Sequence, residues 1–136
     1  MNARVRVGQI GPGTREVTLH PDASTRAALA ERLGLEAVTA LSCQFRLSRP
    51  NDGPLVLAEG RLSAEVVQCD VRTLAPFSAK LAEAFQLRFM PEADLPQDLD
   101  LDDPVDDVGY TDGTIDLDEA MAQQLALALD PYPRAG

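Results

Sequence analysis

Few residues of this chain combine a type and a spacing that could do chemistry. The run Asp112-Gly113-Thr114-Ile115-Asp116-Leu117-Asp118-Glu119 has the glycine, the apolar position and the closing glutamate of the second half of an EF-hand calcium loop. In that alignment the first two ligand positions fall on Val108 and Tyr110, which supply no carboxylate, and Pro104 with an acidic run stands where an entering helix should be. The run therefore reads as a turn followed by a capped helix. Gly8, Gly11 and Gly13 are glycine-rich, but Pro12 and the missing Lys-Ser/Thr make them turn residues and not a phosphate loop. His20, the single histidine, falls at a strand end, and neither Cys43 nor Cys69 has a second metal-ligand type at zinc spacing. No nucleophile, base and orienting group can be assembled. The expectation is a non-enzymatic protein without cofactor, metal or small-molecule substrate.

Charge offers more than catalysis does. The net charge is −10 over 136 residues, yet residues 1–91 hold 11 Lys/Arg against 9 Asp/Glu, while residues 92–118 hold 11 Asp/Glu and no base. The basic residues are 11 Arg and a single Lys; arginine suits planar contacts to phosphate and is also the usual base of GC-rich genomes. Two candidate surfaces follow. Arg46, Arg49, Arg61, Arg72, Lys80 and Arg88 fall on or near the polar side of a predicted meander, where they could meet RNA phosphates or simply solvate an exposed sheet face. Asp98, Asp100, Asp102, Asp103, Asp106 and Asp107 form a counter-surface for a basic protein, or a solubilising spacer.

The elements that would position them can be read from periodicity. Alternation at Val5/Val7 and at Val17/Leu19, with Gly11-Pro12-Gly13 between, predicts an N-terminal hairpin. Asp22 to Gly34 predicts a short helix with a glycine stop. From residue 37 the period becomes two, with Leu41, Cys43, Phe45 and Leu47 inward. After the Asn51-Asp52-Gly53 turn a strand returns from Leu55 to about Val71, with Gly60 marking a bulge. A third strand follows Thr73-Leu74-Ala75-Pro76, with Phe77, Ala79, Leu81, Phe85, Leu87 and Phe89 in phase. The acidic residues from 92 to about 108 are expected to be a mobile linker. Asp116 and Glu119 form a capping box for a last helix whose apolar face is Leu117, Ala120, Met121, Leu125, Ala128 and Leu129, stopped at Asp130-Pro131. The fold class is α+β in one domain spanning 1–136: an N-terminal β-hairpin and short helix, an antiparallel β-meander able to curl into a partial barrel, an acidic linker and a C-terminal helix. With no apolar run near the ~20 residues of a membrane span, and no signal-like start, a cytoplasmic protein is expected.

The order EGRLSAEVVQCDVRTLAPF, AFQLRFMPE, an acidic gap, and IDLDEAMAQQLALALDPYPR resembles the YceD family of large ribosomal RNA subunit accumulation proteins, most of all its alphaproteobacterial branch. The resemblance covers nearly the whole chain and implies a bacterial factor supporting 23S rRNA accumulation, through synthesis, processing or assembly of the large ribosomal subunit. Its implied partners are large-subunit rRNA or its precursor particles, with a basic large-subunit ribosomal protein as the alternative. Many relatives carry a Cys-x-x-Cys pair at the turn after the second meander strand. Here Asp70 takes the first position and Thr73 the second, so any metal or redox role of that pair is unavailable.

Overall fold

The computed structural model describes residues 4–95, 105–130 and 132–134. Its elements are β1 (Arg4–Arg6), β2 (Thr14–Leu19), α1 (Ala23–Leu33), β3 (Ala37–Ser48), β4 (Val56–Cys69), β5 (Pro76–Pro91), β6 (Val105–Tyr110), β7 (Thr114–Asp116) and α2 (Leu117–Ala128). Five strands form one sheet in the order β2-β3-β4-β5-β6, and β1 pairs with β7 in a second, two-stranded sheet. The architecture is the expected α+β, with the long sheet open and not closed into a barrel.

Local chemistry accounts for the helices. Asp22 caps α1 by accepting the Thr25 N–H at 2.8 Å, and Gly34, in the left-handed region at φ +70°, ends it. Asp116 caps α2 by accepting the Glu119 N–H at 3.1 Å. The capping box is only half made, because the Glu119 carboxylate turns to α1. It accepts from Arg32 Nη2 at 2.7 Å and Nη1 at 2.9 Å, and this bidentate pair ties the two helices together. The Arg32 hydrogen bond holds the Glu119 carboxyl below the usual carboxylate range.

The meander is as the alternation predicts: β3 pairs antiparallel with β4, and β4 with β5. Its inward residues, among them Cys43, Phe45, Leu47, Val56, Leu62, Val66, Leu87 and Phe89, are nearly or wholly buried, and α2 adds Leu117, Met121 and Leu125. Each large apolar side chain so buried contributes on the order of 1.5–3 kcal/mol, which makes this face the seat of stability. Burial pushes the Cys43 thiol up to about 12, so it sits in the core as a neutral apolar group.

Three expectations are corrected. The N-terminal strands do not form a hairpin: β1 pairs with β7, Val5 opposite Ile115, and β2 pairs with β3, Val17 opposite Phe45. Between them Val7–Gln9 is a 3-10 turn, and the split lets β1 and β2 each bury an apolar residue against a different part of the core. Gly60 is not a bulge. β4 pairs without interruption through it, and the Phe85 ring lies across it, where a Cβ would stand 2.1 Å from Cζ; the one register shift of this pair of strands is at Val38/Ala40. Phe85 also meets Phe45 edge-on, ring centroids 5.7 Å apart.

The acidic linker, expected over residues 92–108, carries structure at both ends. Glu92–Asp94 is a 3-10 turn, and β6 runs parallel to the last stretch of β5, Phe89 opposite Val108. Val108 packs on the core and Tyr110 is buried, its hydroxyl donating to the Pro54 carbonyl. Apolar residues at alternate positions thus recruit an acidic segment into the sheet. Asp98, Asp100, Asp102 and Asp103 lie outside the described residues.

Candidate functional site

Because successive strand residues face opposite sides, turning Phe45, Gly60 and Phe85 to the inner face places their neighbours on the outer face. Two adjacent rows of side chains cross four strands there. One is Glu16, Arg46, Glu59 and Gln86; the next is Thr18, Gln44, Arg61 and Ala84. Together they line a trough of ≈ 780 Å³ on the polar side of the sheet. Adjoining hollows of ≈ 460 and ≈ 420 Å³ share its residues, one reaching Ser42, Ser63 and Ala82, the other Ser48, Leu57, Arg88 and Val105.

The charges in this trough are arranged in an unusual way. Arg46 lies directly between Glu16 on β2 and Glu59 on β4, at the ~5 Å spacing of cross-strand neighbours. Among the described residues, none of the side chains of Glu16, Gln44, Arg46, Glu59, Arg61 or Gln86 makes a hydrogen bond or ion pair. Donors and acceptors of both signs therefore stand unengaged on the sheet surface. Such a surface offers directional hydrogen bonds with little net field. It differs from a one-sign phosphate track.

The six basic residues proposed from the sequence do not form one patch. Arg46 and Arg61 come together in the trough, exposed and one row apart. Arg88 reaches its margin but is bound by β6, Nε donating to Asp107 Oδ1 at 2.7 Å. Lys80 stands opposite Glu65 toward the far end of β5. Arg49 and Arg72 sit on turns at opposite ends of the meander. Arg49 Nε donates to the Gly53 carbonyl at 2.6 Å. Arg72 approaches the buried Asp70 at 3.5 Å.

That Asp70 organises the β4–β5 turn. Its Oδ1 accepts the N–H of Arg72 at 2.7 Å and of Thr73 at 3.3 Å, while its own N–H and carbonyl bond Ala75 and Leu74. Leu74 is thereby held at φ +62° with its side chain in solvent. Of the acidic candidates within the described residues, Asp106 is exposed on β6 and Asp107 is engaged by Arg88.

The sequence reading found the two trough arginines by phase alone. It missed Glu16, Glu59, Gln44 and Gln86 as their neighbours, since those adjacencies depend on the register between strands. Cys69, the other thiol, is half-exposed, and its Sγ donates to Glu36 Oε1 at 3.3 Å; this hydrogen bond is the main reason its thiol is raised above the ordinary range.

No curated protein and no solved structure matches the chain. No described helix is long and apolar enough to cross a membrane. The family model for the large ribosomal RNA subunit accumulation protein YceD matches residues 58–136, from the trough strand β4 through α2 to the last residue. The match takes in more than half of the sequence, so this chain belongs to the YceD family, whose name states a role in accumulation of large-subunit ribosomal RNA.

Proposed function

We propose that this protein is a non-enzymatic cytoplasmic factor that supports 23S rRNA accumulation by holding a segment of large-subunit rRNA, or of its precursor particles, in the outer trough of its sheet. The observation that carries the reading is the pair Arg46 and Arg61, unengaged and adjacent on a concave polar surface inside a family named for this RNA. A binding role asks only for a fixed surface with free hydrogen-bonding groups, and the strands that carry the trough bury Phe45, Leu62 and Leu87 on their other face. A segment held there is kept from mispairing while the large subunit assembles around it.

The test is crosslinking in cells. A photoreactive residue at Ser63, in the hollow that adjoins the trough beside Arg61, should capture large-subunit rRNA, and the same residue at Ser78, away from the trough, should not. Capture of protein alone from Ser63 would reject the reading.

A second reading, an adaptor for a basic large-subunit ribosomal protein, has one observation in its favour. Exposed Glu92, Asp94 and Asp106 gather on the β6 edge, where the Glu92–Asp94 turn packs over Gly109. It predicts that neutralising Asp98 to Asp107 abolishes ribosomal-protein binding and leaves rRNA capture at Ser63 intact.

A further inference from the structure

Resting on the reading of the trough as an rRNA surface, we infer that its ligand is single-stranded RNA with unpaired guanines, recognised through base edges and not through phosphates. Phosphate recognition is sequence-blind and wants a concentration of positive charge. The trough supplies two guanidiniums and two carboxylates, with Glu16 and Glu59 directly flanking Arg46. A phosphate seated on Arg46 would stand against both carboxylates. A guanine would not. Its O6 and N7 accept from a guanidinium in the bidentate geometry that makes arginine the usual reader of this base. Its N1–H and N2 amino group donate, and a carboxylate is the acceptor that matches both.

The other bases match less of the set. Cytosine would use a carboxylate for its N4 amino group but offers no N7/O6 edge to arginine, and adenine calls on an amide such as Gln44 or Gln86 while leaving the charged groups unmatched. The small residues Ala82 and Ala84 keep one side of the floor low, and no aromatic side chain stacks from the outer face of these rows. A base entering it would lie against the planar guanidinium of Arg61, an accepted stacking partner in single-stranded RNA recognition. Paired guanines have their N1–H and N2 groups engaged by cytosine, so the trough selects for unpaired ones.

Fluorescence anisotropy of the full chain with short guanine-containing oligoribonucleotides tests this. Replacing guanine by inosine, which lacks the N2 amino group, or by 7-deazaguanine, which lacks N7, should weaken binding roughly fivefold or more. The affinity should fall with salt by a log–log slope no steeper than about −1.4, since at most two phosphates of a single strand are neutralised. Glu16→Gln together with Glu59→Gln, conservative changes on the exposed face, should erase the preference for guanine over inosine. Equal affinity for all sequences together with a steep salt slope would overturn the guanine inference and leave rRNA binding standing. No affinity for any oligoribonucleotide, with no recovery of large-subunit precursors either, would overturn both.

Discussion

The two faces of the five-stranded sheet are built from alternate residues of the same strands, and they handle their side chains in opposite ways. On the inner face Phe45, Leu47, Leu62, Leu87 and Phe89 are closed in by α1, α2 and the β1–β7 pair, and even a glycine is filled, by the Phe85 ring. On the outer face Glu16, Arg46 and Glu59 lie side by side with opposite charges and make no ion pair with one another. The inner face packs its side chains against the rest of the chain, and the trough rows of the outer face leave Glu16, Arg46, Glu59 and Arg61 unengaged. Because parity separates the two, a substitution can address stability or binding alone.

Substitutions should break that separation, if it is false, in a graded order. Phe45→Ala removes a ring from the centre of the inner face and should cost about 3–5 kcal/mol, read from the urea midpoint. Gly60→Ala places a methyl where the Phe85 ring lies and should cost about 1–3 kcal/mol. In a Phe85→Ala background the same change should be nearly neutral, which identifies the ring as the cause. Glu119→Gln should lower stability more modestly at neutral pH. The folded-state pKa of Glu119 is depressed, chiefly by the Arg32 hydrogen bond, so its contribution is present above the ordinary carboxylate range. It disappears as pH falls through that lower value, and the difference between variant and wild type should close in acid. Smallest of all in stability should be Arg46→Ala with Arg61→Ala, within about 0.5 kcal/mol of wild type.

The same parity explains what could be read from one strand at a time. The inward phase of β3 follows from Leu41, Cys43, Phe45 and Leu47, the bounds of α1 from Asp22 and Gly34, and the seat of α2 from Leu117, Met121 and Leu125. Each of these signals is local. The pairing of Val5 with Ile115 is not, because alternation reveals a strand without revealing its partner. Nor does charge composition predict that Val108 and Tyr110 draw an acidic segment into the sheet, where Asp107 engages Arg88 and removes it from the candidate surface. Glu83 shows a similar limit. It holds a core-facing register position opposite Leu62 yet remains exposed, which alternation along β5 alone does not reveal. At the candidate site, phase places Arg46 and Arg61 outward, while only register puts Glu16 and Glu59 beside Arg46.

Whether the outer trough is the rRNA-binding face is tested most directly by sedimentation of the Arg46→Ala/Arg61→Ala protein with large-subunit precursors. The variant should unfold at the wild-type urea midpoint and be lost from the precursor fractions. A variant that folds normally and still co-sediments with those precursors at wild-type levels would contradict that role for the trough.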